Sequence, residues 1–152
     1  MRPLLLDCDP GHDDAIAIML AVSDPSIDLR AVTTVAGNVG VEHTSRNALR
    51  VLDVVGRPDI PVAAGRPRPL VRDLSTAASM HGETGLAGPL AIEPSRSVDR
   101  RPALDLIADV LESSPEAVTI VATGPLTNVA DVVTELGHLH DRIREMPAPS
   151  PT

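Results

Sequence analysis

The sequence predicts an α/β fold: an open, mostly parallel sheet with flanking helices. Three observations carry this expectation. Short apolar, β-branched runs alternate along the chain with stretches of helical periodicity, the pattern of a parallel sheet with crossover helices. The 152 residues are 43% hydrophobic, enough for one globular domain. The first apolar run ends in acid, as a buried strand does when polar function sits at its carboxyl end.

The elements follow in order. "PLLLDCD", Pro3 to Asp9, reads as the first strand, and Pro10 and Gly11 turn the chain. "DDAIAIMLAVSD" opens with acids and is apolar on all sides, as a buried or amphipathic helix is, while "IDLRAVTTVAG" is β-branched and reads as the second strand. "VEHTSRNALRVLDVVG" sets Val41, Ala48, Val51, Leu52 and Val55 at helical spacing and stops at Gly56. "IPVAAG" is a third short strand. From Arg66 to Ser97 the chain is rich in Pro, Gly, Arg and Ser with little periodicity, which predicts a long functional loop or lid. "PALDLIADVLESS" is a helix, "AVTIVATG" the fourth strand, and "PLTNVADVVTEL" a helix with Pro125 near its first turn. Residues 1–146 are expected to form the domain. Residues 147–152, "PAPSPT", are expected to be a Pro-rich disordered tail, unable to continue a helix or enter a central strand. An α/β chain stopping after a helix reads as cut short.

Composition narrows the chemistry. There is no Phe, Tyr or Trp, so Leu, Val, Ile, Ala and four Met supply the core and aromatic base-stacking platforms are excluded. All 13 basic residues are Arg, and the net charge of -8 argues against nucleic-acid partners or an anionic membrane surface. The absence of Lys removes the Walker A loop, Schiff-base chemistry and Ser-Lys hydrolysis. The single Cys8 cannot form an internal disulfide, no signal-type stretch opens the chain, and no apolar run approaches the roughly 20 residues of a membrane span. A reduced, cytoplasmic setting is expected.

"DCDPGHDDA" concentrates Asp7, Asp9, Asp13 and Asp14 with no Lys or Arg among them. Strand alternation turns Asp7 and Asp9 to one face and Cys8 to the other, and Asp13 and Asp14 open the first helix. Capping and the helix dipole account for two acids but not four, so the cluster points to a bound cation. Carboxylate ligands suit calcium or magnesium; no H-E-x-x-H and no Cys-His spacing suggests zinc, and the EF-hand loop lacks its closing Glu. Asn38, Thr123 and His81 fall where the carboxyl edge of such a sheet would collect them; each alone also reads as an ordinary turn or surface residue. There is no G-x-S-x-G elbow, Cys8 reads as a core residue, and His43, His138 and His140 read as surface residues. His12 flanks the cluster, either orienting an acid or facing solvent.

"LLLDCDPGHDDAIAIMLA" closely resembles the signature of the inosine-uridine preferring nucleoside hydrolase family, and "TTVAGNVG", "AAGRPRPL", "HGETGLAGP" and "VATGPLTNVA" recur there in this order. The resemblance runs from about Leu4 to Met146. It implies a Rossmann-like nucleoside hydrolase fold and calcium-dependent hydrolysis of the N-glycosidic bond of a ribonucleoside. By the same resemblance Asp9 would bind calcium and act as general base, Asp14 would bind calcium, and Thr123 would offer its backbone carbonyl. Asp13 and Asn38 would hold the ribose hydroxyls, and Asp7 would be a neighbouring support rather than the base. His81, in "HGETGL", resembles the base-side histidine of the pyrimidine-preferring branch and favours uridine or cytidine.

Members of that family are about twice this length, so the chain is expected to be a truncated, amino-terminal half lacking a further calcium-binding aspartate. Homo-oligomerisation, or a separate chain supplying the carboxy-terminal half, is implied. Two rivals remain: a non-catalytic remnant with weak cation binding, and a magnesium-dependent phosphatase using D-x-D, against which the missing Lys argues.

Overall fold

β1 (Arg2–Cys8), β2 (Ile27–Thr34), β3 (Val62–Ala64) and β4 (Thr119–Ala122) form one sheet in the order β3-β2-β1-β4, with every pairing parallel. Crossovers run through α1 (His12–Ser23), α2 (Val41–Val54) and α3 (Ala103–Ser113); α4 (Thr127–Glu135) and a 3-10 helix, Gly137–Arg142, follow β4. The computed structural model describes residues 1–76, 82–86 and 92–144. Residues 145–152, which include the expected tail, lie outside them.

Alternation along the strands divides the core in two. Leu6 and Cys8 of β1 pack with Ile18 of α1 and Leu52 of α2 on one face. Leu5 packs with Ile107 of α3 and Val132 of α4 on the other. The β1–β2 pairing steps from Leu4↔Leu29 to Leu5↔Ala31, so Arg30 is a one-residue bulge. That extra residue keeps Leu29 on the same side as Leu6, where strict alternation would have turned it to the opposite core.

Each predicted element is present; β1 and α1 are shifted one residue toward the amino terminus, starting at Arg2 and His12, and the others are shorter than expected. The second helix closes as expected at Gly56, whose φ of +72° suits glycine and lets the Arg57 amide donate to the Leu52 carbonyl at 2.8 Å. Pro125 lies just before α4, near its first turn as expected, with Leu126 at the N-cap position. Among the described residues, 66–97 contain no helix or strand, in keeping with a loop. Its described parts are held by α2: Asn47 Nδ2 donates to the Thr84 carbonyl at 2.8 Å and Arg50 Nε to the Ile92 carbonyl at 2.6 Å. Leu86 is fully buried in the α1–α2 core.

α1 is apolar all round, yet buries one side only. Ile18 has no exposed surface, whereas Ile16 is 66% exposed. Ile18→Ala should therefore cost about 2–5 kcal/mol of unfolding free energy. Ile16→Ala should stay within about 0.5 kcal/mol. Urea titrations of the two variants check this, and equal losses would mean that α1 packs differently.

Candidate active site

The end of β1 sets the site. Asp9 follows the last residue of the strand, and its carboxylate lies between two glycines. A Cβ on Gly37 would meet Asp9 Oδ2 at 2.1 Å, and one on Gly124 would meet Oδ1 at 2.6 Å. Any side chain at either position would displace the acid. The Asn38 amide donates to Asp9 Oδ2 at 2.7 Å, and Asn38 Nδ2 donates to the Asp9 carbonyl at 3.0 Å. Asp14, buried in the first turn of α1, accepts from the Asp9 amide at 3.0 Å. The Thr123–Gly124 peptide runs beside Asp9, held by the Thr123 amide donating to the Asp7 carbonyl at 2.9 Å. Asp13 is exposed at the start of α1. The structure thus gathers Asp9, Asp13, Asp14, Asn38 and Thr123 at one sheet edge. His81 lies outside the described residues, and His43, His138 and His140 are exposed.

Asp7 occupies a separate place. Because β1 ends at Cys8, strand alternation does not extend to Asp9, and the expectation of a shared face for the two acids gives way to different partners. Asp7 Oδ1 accepts from Thr33 Oγ1 at 2.6 Å and from Asn128 Nδ2 at 2.8 Å, while Oδ2 has no partner among the described residues. Asn128 was not singled out from the sequence. Its Nδ2 also donates to the Thr34 carbonyl at 3.0 Å, and its Oδ1 accepts from the Arg66 amide at 2.9 Å. One buried amide therefore ties together the carboxyl ends of β1, β2 and β3. No local signal in the sequence set it apart, because its partners lie on other strands.

Both acids are poorly solvated. Burial raises the Asp7 carboxyl to about 6; the Asn128 and Thr33 hydrogen bonds offset part of the rise, and the charge of Asp14 adds to it. Burial likewise raises Asp9 to about 6, opposed by the Asn38 amide and reinforced by Asp14 and Asp13. Burial also pushes the Cys8 thiol up, which suits a core residue. Among the described residues no Arg pairs with any of the four aspartates; Arg66, two residues past the end of β3, is bound to Asp131 at 2.6 Å. Uncompensated carboxylates, an oxygen-only donor set and glycines clearing space around Asp9 fit a hard divalent cation. Among the described residues, however, no three His, Cys, Asp or Glu side chains converge as a cage. The fit rests on Asp9, Asp14 and the Thr123 carbonyl.

Two predictions follow from this arrangement. Carboxyls at about 6 when folded, against 3.8 when free, bind protons more readily in the folded state. Their contribution to stability is complete below about 4 and is lost as pH rises through about 6. The urea midpoint without added metal should be higher at pH 5 than at pH 7, the difference should shrink in Asp7→Asn, and calcium at pH 7 should restore the midpoint. A midpoint that falls on acidification to pH 5 overturns this reading. Separately, Asn128→Ala should destabilise the chain by about 2–3 kcal/mol through the buried groups it leaves unpaired, as measured by the same titration.

Comparison with known proteins agrees with the geometry. The pyrimidine-specific ribonucleoside hydrolase RihA of Citrobacter koseri is 53% identical over 141 residues, covering 93% of this chain and 45% of its own length. The RihA of Photobacterium profundum is 51% identical over 142 residues, covering 93% and 46%. Among solved structures, a purine-preferring ribonucleoside hydrolase from Gardnerella vaginalis superposes with a TM-score of 0.86 at 31% identity, covering 93% of this chain and 46% of that one. A plant nucleoside hydrolase gives 0.86 at 35% identity, covering 93% and 45%. The chain thus spans about half the length of the relatives it matches. The model of the inosine-uridine preferring nucleoside hydrolase family matches residues 4–147, and the chain belongs to that family.

Proposed function

We propose that this chain carries the catalytic edge of a calcium-dependent ribonucleoside hydrolase, which cleaves the N-glycosidic bond to give ribose and free base. The observation that supports this reading most directly is the Asp9 carboxylate, buried between Gly37 and Gly124 beside Asp14 with no Arg paired to it among the described residues. Asp9, Asp14 and the Thr123 carbonyl would hold the ion. A bound divalent cation supplies positive charge that makes a nearby water more acidic. The pyrimidine-specific names of the curated relatives, with His81 in its "HGETGL" setting, favour uridine or cytidine as substrate.

The chain's own residues then divide the work. Asp9 takes the proton from the attacking water, a role that needs its ionised form. The Asn38 amide, donating to Oδ2, fixes the carboxylate and favours that form. Asp13, exposed beside it, and the Asn38 side chain face the ribose hydroxyls. As positive charge builds on the sugar in an oxocarbenium-like state, the surrounding carboxylates stabilise it. Hydroxyl hydrogen bonds that strengthen in that state add to the effect.

A second reading has one observation in its favour. Two carboxylates and one carbonyl are fewer than the about six to eight oxygens that calcium takes, which favours a cation-binding half-fold without turnover. The magnesium-phosphatase reading has less, because no described Arg pairs with the acids. Ribose release from uridine, cytidine and inosine by the 152-residue chain separates these readings. Release is expected with calcium, should stop on chelation, and should fall by about 100-fold or more in Asp9→Asn. Calcium binding by calorimetry with no ribose released supports the half-fold, and phosphate release from a sugar phosphate supports the phosphatase.

A further inference from the structure

α2 reaches both the candidate site and the loop beyond β3 through two side chains one turn apart. Asn47, which has no exposed surface, donates from Nδ2 to two backbone carbonyls: at 3.0 Å to that of Pro10, directly after Asp9, and at 2.8 Å to that of Thr84. Its Oδ1 accepts from Arg50 Nη1 at 3.1 Å, and Arg50 Nε in turn donates to the Ile92 carbonyl. These partners determine which way the amide faces. Reversed, it would set Oδ1 against two carbonyls and its amino group against a guanidinium.

The two carbonyls matter because of what stands beside them. Pro10 has no N–H, so its carbonyl is the one backbone hydrogen-bonding group by which the residue after Asp9 can be held. Thr84 belongs to the described segment Gly82–Leu86, in which Gly85 and Leu86 are buried. Gly85, at φ +77°, packs so closely that a Cβ would meet Val39 Cγ2 at 2.9 Å, Asn47 Nδ2 at 3.2 Å and the Pro10 carbonyl oxygen at 3.4 Å. Val39 follows Asn38, whose amide binds Asp9 Oδ2. The segment therefore bears on the turn after the acid and on the loop that aims it. Asn47 is the polar tie at that junction.

We propose that Asn47 is a positioning residue of the Asp9 site, coupling the Gly82–Leu86 segment to the Asp9–Pro10 turn so that order in one stabilises order in the other. Its consequence for catalysis, that the coupling holds the general base in place, rests on the hydrolase reading; the coupling itself is a property of the metal-free chain. Asn47 is fully enclosed, so it acts through the Pro10 carbonyl and touches no substrate. Leaving the Pro10 and Thr84 carbonyls without their donor would free the turn and the segment together.

Amide exchange followed by NMR on the full chain without metal tests this. The Asp9 and Asn38 amides, which donate to Asp14 Oδ2 and Asp9 Oδ2, report on the site, and the Gly85 amide, which donates to the Gly82 carbonyl, reports on the segment. The β1 amides and the Arg66 amide bound to Asn128 are the controls. Asn47→Ala should speed exchange at Asp9, Asn38 and Gly85 by about 10-fold or more while the controls stay protected. Acceleration at Gly85 alone would make Asn47 a loop anchor and overturn the proposal, as would no change at any of the three. Loss of β1 protection in Asn47→Ala moves the decision to Asn47→Asp, which keeps the shape and the bond from Arg50 but loses the donors, read against the same outcomes. Calorimetry adds a readout that a loop anchor would not move: calcium affinity should fall by about 10-fold in the variant, although Asn47 is no ligand. An affinity equal to that of the wild-type chain overturns the positioning role. A wild-type chain that binds no calcium counts against the proposed function, and the metal-free exchange still decides the coupling.

Discussion

The position of β1 in the middle of the sheet is the constraint on which the site depends. From β1 the chain winds outward through β2 to β3, then returns to place β4 on the other side. The helix after β1 therefore packs on one face and the helix after β4 on the opposite face. Their starts diverge above the β1–β4 boundary, the usual ligand position in an open α/β sheet. Asp9 stands at that boundary. Gly37 from the loop after β2 and Gly124 from the turn after β4 close on it from either side.

This placement makes the charge unusual. A carboxylate at a sheet edge ordinarily finds water or an Arg, and this chain has 13 Arg residues available. The described ion pairs put them elsewhere: Arg57 with Asp59, Arg66 with Asp131, and Arg101 with Asp99 and Asp109. Asp7 and Asp9 are left without a cationic partner among the described residues, where burial makes ionisation costly. A dedicated Arg would lower that cost and occupy the place proposed for the cation. Leaving the acids unpaired keeps the site open to a divalent ion.

Much of this was legible before any coordinates. The alternation of β-branched runs and helical periods reports burial on both sheet faces, a long-range property written locally along the chain, so strands and helices emerged in their observed order. Gly56 was readable because a helix end needs a residue tolerant of positive φ. The bulge at Arg30 was not, since one extra residue in "IDLRAVTT" changes pairing with β1 without disturbing the β-branched pattern. Asn128 was hidden for a related reason. Its three bonds reach strand ends far away in the chain, and nothing in "PLTNVADVV" separates it from a solvated helical Asn.

The same distinction divides Asp7 from Asp9, which are equivalent as letters. Asp7, paired in register with Thr33 and bound by Asn128, is enclosed by the sheet and α4, so a substrate has no direct approach to it. Its ties run through Asn128 to Thr34 and Arg66, and through its carbonyl to Thr123. Asp7 therefore couples the strand ends that carry the loops around Asp9. Asp9, one step past the last paired residue, is free of the ladder, and its carboxylate is aimed by Asn38 and the two glycines. Termination of β1 at Cys8 is thus what separates an acid held in the ladder from one released from it, although both are buried.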